Sequence, residues 1–582
     1  MTDQLDTGDG AAEPDVRPTR RRRAPAEDAG YVVIMFAIML PVLFGLAALA
    51  VDVSNWYLAI NRQQKAADAG ALAGVIYLPG DFNTAKTTAL AVATRNGYTD
   101  GAGGATINVA LGAKSTQLQV TITGTVHNFF GRIPLLGAPF STFTRTGVAD
   151  YAGPLHLGSP CNVLGNDAMS SPSVASAACS ANSSYWLNMA GAFVNKSRGD
   201  ANGSHWCSVA DDGSGIDGCT GLPGPYPGVQ NSEVDPRGYL YNVNVGTGAP
   251  PKVQIYDGIY VATGNTCTGN DSAGNAVMTG VPAPLNTAPY CSGDNSDGGQ
   301  QSDDSAVTTT INLYFPSSSS TDPLASGLVC APLVLPGFGP HELAATPLAD
   351  LLSGKDANPD VQNYFHQWAT ICPGATLTPT TYGSDYTVQV QTSGPDGAIG
   401  GGGQNRFALR ADAGSAGAND GLSVSALQHM SLYFNEQGKT AAFNLVRLPT
   451  SAADHQLTIR FFDLGDATNG DTVKISPPDN SSLGSGAWDA SGACTADNDH
   501  DPIATGSQAY TGPLTNCSVT TTAAQDGGRW QIVKIPLPAN YTCNTTDPTK
   551  CWVSVTLNSS ADLSDTTTWE ASLDGDPVRL VV

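Results

Sequence analysis

The sequence predicts a single-pass membrane anchor helix with a small α+β head, followed by a mainly β ectodomain that is β-sandwich or jelly-roll-like. Three observations predict it. One apolar run near the N-terminus is long enough to cross a bilayer, a helix-then-strand pattern follows it, and the rest is a succession of short alternating segments bounded by Gly and Pro. Composition agrees: 65 of 582 residues are Gly and 38 are Pro, while 41% are hydrophobic, enough to build a core between many turns. A chain of this length suggests several domains.

Residues 1–30 are polar and carry Arg20, Arg21, Arg22 and Arg23 in a row. Tyr31–Val51 then reads YVVIMFAIMLPVLFGLAALAV, 21 residues without a charge. As a helix this run is about 31 Å long, the thickness of a bilayer's hydrocarbon core. The arginines belong on the cytoplasmic side, which places everything after Asp52 outside. A signal peptide is the competing reading, because Ala48-Leu49-Ala50 fits a small-x-small cleavage site. The run is longer than an h-region of about 7–15 residues and its helical pattern continues through the cut, so a retained anchor is favoured.

Residues 52–78 continue without a helix breaker before Pro79. Small residues recur every fourth position at Ala66, Gly70 and Gly74, and again at Ala67 and Ala71. Such stripes let helix backbones approach closely, which makes Ala66, Gly70 and Gly74 the candidate helix-packing residues. The packing partner is either another protein's helix or the chain's own domain.

Gly30 before the apolar run, Pro41 within it, Ala50-Val51-Asp52 at its end and then Gln63–Leu72 (QQKAADAGAL) resemble the N-terminal module of TadG-like Flp/Tad pilus-assembly proteins. The likeness spans about residues 27–80. It implies a single-pass envelope protein of a tight-adherence pilus system, with other assembly proteins as partners and no catalysis. Two features depart from the pattern. Pilin-type subunits cut after Gly carry Glu five residues on, where this chain has Met35. The DxSxS metal site of longer TadG-like proteins is missing: its nearest match, Asp562–Thr566, lies too close to the C-terminus to hold that domain.

Residues 81–97 read as a helix stopping at Asn96-Gly97, and Ala105–Leu111, Gln117–Gly124 and Phe143–Tyr151 read as strands. Residues 52–154 are therefore assigned to the helix continuation and α+β head, 155–375 to a first β-rich region with loop insertions, and 376–582 to a β-sandwich. YLYNVNV, VQIYDGIYV, YTVQVQ, RFALRA, LSVSAL, AAFNLVRL, HQLTIRFFDLGD, TVKI, WQIVKIPL, CWVSVTL and PVRLVV supply the strands. IYDGIY and IRFFDLGD both end apolar–apolar–Asp before a turn, which suggests two related sandwiches.

All 12 cysteines lie from Cys161 onward, evenly numbered and without a CxxC, as disulfides formed outside the cytoplasm would require. Cys207–Cys219 and Cys543–Cys551 suit short loops, and Cys267 and Cys291 bracket a polar insertion. The formal charge of −24 excludes nucleic acid as a partner, because phosphate recognition needs Lys/Arg clusters. Residues 1–30 hold 7 of the acidic and 5 of the basic residues, so the acidity belongs to the outward part.

Motifs for catalysis are incomplete. Gly438-Lys439-Thr440 ends like a Walker A loop, but Tyr433 replaces its first Gly, and Gly400–Gly403 precedes a strand instead of opening a helix. His341-Glu342 begins HExxH, with Ala345 in place of the second His. Ser272 sits in near-GxSxG sequence without the strand and helix of a nucleophile elbow. Asp497, Asp499 and Asp501 alternate as DNDHD and form a candidate calcium site, although Pro502 and Gln508 break the EF-hand pattern. Asp294, Asp297, Asp303 and Asp304 make a second acidic loop. Tyr185, Trp186, Trp206, Trp488 and Trp552 would stack on sugars if exposed. The expectation is a non-catalytic membrane-anchored pilus-assembly component, with a glycan-binding adhesin on the same anchor as the alternative and a secreted hydrolase the weakest reading.

Overall fold

The computed structural model describes residues 29–78, 82–112, 117–130, 138–151, 155–166, 185–208, 216–223, 228–262, 269–270, 276–277, 294–296, 306–317, 322–393, 401–436, 440–462, 470–479, 481–497, 511–521, 527–543, 550–559, 563–573 and 578–580. A continuous helix, α1 (Ala29–Val75), runs through the apolar segment and past Asp52. Pro41 lies inside it, where the ring removes one backbone donor; helices tolerate this within a bilayer. A second helix, α2 (Phe82–Arg95), ends where Gly97 takes φ of +91°, a left-handed conformation that glycine adopts without cost. Strands β1 (Thr106–Leu111), β2 (Gln117–His127) and β3 (Phe140–Tyr151) then form the small sheet of the head. A strand at Val578–Leu580 pairs antiparallel with Ala149–Tyr151, so the chain's end returns to that sheet.

Two compact units share this arrangement. One contains the described residues up to Ala67 with Ala93–Asn108 and Thr121–Thr146; the other contains Asp68–Val92, Val109–Val120 and Gly147–Val582. Two large antiparallel sheets dominate the second unit, of ten and twelve strands among the described residues. Tyr239–Asn244 lies between Asp385–Ser393 and Ser423–Leu427 in the first sheet. Tyr185–Ala190 lies between Gly403–Asp412 and His429–Glu436 in the second. Alternate residues of both sheets enter one core: Tyr241, Val243 and Val388 from the first, Leu187, Phe407, Leu432 and Phe461 from the second. Strands from either side of residue 375 pair with one another throughout both sheets.

Two expectations are corrected here. The strands that end apolar–apolar–Asp do not mark two sandwiches, because Lys252–Tyr256 and Gln456–Phe462 belong to the same twelve-stranded sheet. Asp257 has φ of +58°, a left-handed backbone that Asp tolerates at a turn, while Asp463 lies outside the described residues. The aromatics that would stack on sugars if exposed are buried, with Trp186 at 0% exposure and Trp552 at 4%. Tyr185, Trp206 and Trp488 are buried as well. Trp186 is covered by a separate cluster of Tyr256, Ala408 and Tyr433, stacking on Tyr256 with ring centroids 5.6 Å apart.

Among the described residues four disulfides join Cys207 to Cys219, Cys330 to Cys372, Cys494 to Cys517 and Cys543 to Cys551. Both short pairs read from the sequence occur. Cys267 and Cys291 lie outside the described residues.

Candidate membrane-anchoring site

The helix α1 changes character at Asp52. Over Tyr31–Val51 its apolar side chains are bare, with Phe36 at 65% and Phe44 at 67% exposure. A helix apolar on every side and uncovered by protein is suited to lipid. Asp52 is the first ionisable residue after that run, and it is buried. Its carboxylate accepts from the backbone N–H of Phe129 at 2.7 Å and from that of Phe130 at 3.2 Å. One turn further, Asn55 donates to the carbonyl of His127 at 3.0 Å and the Trp56 indole donates to Asn128 Oδ1 at 2.6 Å. Asn128 in turn donates to the carbonyl of Ala138 at 2.7 Å, closing the stem of the loop between β2 and β3.

Two turns later the same face binds the strands. Gln63 is buried and donates to the carbonyls of Ile122 at 2.5 Å and Phe143 at 2.8 Å, bridging β2 and β3. Gln64 donates to the carbonyl of Thr146 at 3.0 Å. The Tyr98 hydroxyl donates to the carbonyl of Ala59 at 3.4 Å, and burial raises its pKa, with Arg62 opposing the shift. Residues 52, 55–56, 59, 63 and 66–67 recur at three- and four-residue steps, the spacing of one helix face. That spacing was the signal in the sequence for the roles of Asp52, Asn55, Trp56 and Gln63, which the small-residue pattern alone did not bring out.

In the second unit the stripe continues at Gly70, Ala71, Gly74 and Val75 and packs on the chain's own α2. A Cβ on Gly74 would stand 2.6 Å from the Ala85 carbonyl oxygen and 3.1 Å from the Ala89 Cβ. On Gly70 it would stand 3.2 Å from the Ala89 carbonyl oxygen. Ala66 is fully buried, as are Ala71, Ala85 and Ala89. The close approach that small residues allow is thus used within the chain.

The β domain holds buried polar groups that tie backbone together. Asp257 and His366 pair at 3.3 Å, both almost fully buried, and Asp257 also accepts from the His366 N–H at 3.1 Å. Asp294 accepts from the N–H groups of Val261 at 2.6 Å and Arg406 at 2.9 Å; burial and the Asp257 charge hold its pKa well above the ordinary carboxylate range. Asp200, raised by burial, accepts from Ala190 N–H at 2.7 Å, Gly203 N–H at 2.8 Å and the Tyr239 hydroxyl at 2.5 Å. Each carboxylate accepts from main-chain donors, two of them also from a side chain, which ties loops together. Glu342 accepts from the Gly339 N–H at 3.0 Å and closes the start of a short helix, Pro340–Ala345, which accounts for the HE pair. The backbone of Asp497 pairs with Thr511 at the end of a strand. Asp499, Asp501, Asp297, Asp303, Asp304, Ser272, Gly438 and Lys439 lie outside the described residues.

Residues 30–77 match the Tad family model, described as Flp pilus-assembly TadE/G-like. The matched stretch is α1 and the two residues that follow it, as the sequence resemblance implied. No curated protein and no solved structure matches the chain.

Proposed function

We propose that this protein is a non-catalytic, single-pass, membrane-anchored extracytoplasmic component of a Flp/Tad-type pilus-assembly system. Its N-terminus lies in the cytoplasm and its acidic, disulfide-bearing β domain lies outside. The observation that carries the reading is a coincidence of boundaries. The stretch matched at 30–77 is the helix that is bare over Tyr31–Val51 and clamped to its own head from Asp52 onward. Arg20–Arg23 before that helix and four disulfides after it support the orientation. The helix also runs unbroken across Ala50 and Val51, which supports a retained anchor over a cleaved leader. Because Gly70 and Gly74 are covered by α2, helices of other assembly proteins meet this one along the bare run, where Gly45 has open space around it.

The test uses full-length protein in cells carrying a Flp-type pilus locus. An N-terminal tag should resist protease added outside while the β domain is reached, and deletion should abolish surface pili until the full chain is restored. A mature N-terminus beginning at Val51, or pili unaffected by the deletion, overturns the proposal.

A further inference from the structure

We propose that Phe129 and Phe130, just past β2, and Phe140, at the start of β3, form a second membrane contact, a foot seated at the boundary between headgroups and acyl chains of the outer leaflet. The inference rests on the membrane-anchor reading above. Its first support is position. Phe129 and Phe130 are fastened to α1 at Asp52, the residue that ends the 21-residue charge-free run, through the Phe129 N–H at 2.7 Å and the Phe130 N–H at 3.2 Å. If Tyr31–Val51 fills the hydrocarbon core, these two residues are held at its edge.

The second support is exposure. Phe129 is 64% exposed, Phe140 47% and Phe130 39%, although the backbone around them is tied down on several sides. Asn55, Trp56 and Asn128 hold the loop stem, and Phe140 also packs at a tilt against His127 with ring centroids 4.5 Å apart. Three large apolar rings kept in water by a rigid stem are unfavourable, and a patch of this kind marks an interaction surface. The third support is continuity. Tyr57 at 67% and Leu58 at 56% exposure extend the bare face of α1 past Asp52. Aromatic side chains are enriched at this depth, where an apolar body and a wet rim coexist. The occupant is therefore phospholipid, and two contacts, helix and foot, would set the head's orientation against the bilayer.

The test is photo-crosslinking of the full chain in vesicles of phosphatidylethanolamine and phosphatidylglycerol, with p-benzoylphenylalanine placed singly at Phe129, Phe140, Phe36 or Tyr382. Phe36 reports the anchor, and Tyr382, 63% exposed on the β domain, reports background. Lipid adducts at Phe129 and Phe140 are expected at about tenfold or more the yield at Tyr382, approaching that at Phe36. Adducts at Phe36 with only background at Phe129 and Phe140 overturn the foot and leave the anchor standing. Background at Phe36 as well overturns the anchor. In cells, adducts from Phe129 to a protein in place of lipid also overturn the foot, assigning the patch to an assembly partner.

Discussion

Replacing Gly74 by Ala separates steric closeness from helix propensity. Alanine is favoured over glycine in a helix interior by about 1 kcal/mol wherever the added methyl has room. At Gly74 it has none: the new Cβ would lie 2.5 Å from a Leu118 methyl and 2.6 Å from the Ala85 carbonyl oxygen. A leucine tip can turn aside, but a carbonyl within α2 moves only with its helix. Overpacking costs about 1–3 kcal/mol, and two contacts this short, one of them with backbone, put Gly74 in the upper half, about 2–3, so the net change after the propensity gain is a loss of about 1–2 kcal/mol. Gly70→Ala meets its nearest neighbour at 3.2 Å and should come out near neutral. Gly45→Ala meets nothing within 4 Å and should not destabilise. The assay is amide hydrogen exchange of the full chain in detergent, read on peptides covering Phe82–Arg95. A loss of this size raises the open population of α2 by about 5–30-fold. Unchanged exchange in Gly74→Ala, or faster exchange in Gly70→Ala than in Gly74→Ala, refutes the backbone-contact argument.

Two further predictions concern buried charge in the β domain. Burial lowers the His429 pKa from 6.5 to about 4, with Asp235 opposing the shift and Arg237 adding to it. Its contribution is complete above pH 6.5 and is lost as pH falls towards 4, so wild type should lose about 3 kcal/mol relative to His429→Gln across that window. Urea unfolding at each pH checks this, and a constant difference between the two proteins contradicts it. Lys196, fully buried, is bonded to Glu233 and donates to the carbonyl of Asp217 at 2.6 Å, while the Trp530 indole donates to Glu233 at 2.8 Å. Lys196→Met removes one of the two cations on that carboxylate, leaving Arg460 at 3.7 Å, and should cost about 3 kcal/mol, part of it regained by adding Glu233→Gln. Denaturant midpoints of the single and double variants decide it; a single variant as stable as wild type rules the pair out as a stabilising contact.

The long apolar helix was legible because a charge-free run of this length is rare, and the head was legible because its helix and strands have clean periods. Most strands of the β domain were legible for the same reason: alternation in YTVQVQ or WQIVKIPL reports one buried face. Leu563–Leu573 was not. It reads LSDTTTWEASL, polar by composition, yet Thr567 and Thr568 are fully buried. Their hydroxyls are satisfied locally: Thr568 donates to the Gly199 carbonyl at 2.7 Å, and Thr567 accepts from the Trp569 indole at 2.5 Å. A central strand buried on both faces loses the period-two signal, and threonine hides it further because it suits strands while looking hydrophilic. Tyr185–Ala190, buried at every position, was not legible as a strand for the same reason. The pairing of distant segments was beyond reach, since Leu432 finds Leu187 across the chain by sheet register alone.

The chemistry of the anchor stripe bears on why the family match ends where the helix ends. Asp52 binds two N–H groups, Asn55 one carbonyl, Gln63 two and Gln64 one, all of them main-chain atoms of the head. Main-chain groups are the same whatever side chains a strand carries, so these contacts constrain the helix closely and the strands hardly at all. Gly70 and Gly74 extend the logic, since their nearest neighbours on α2 include carbonyl oxygens. A helix that reads backbone geometry can hold heads of unrelated sequence, provided each offers strand edges at the right height. On that account a signature confined to residues 30–77 is what such an anchor would leave in a sequence.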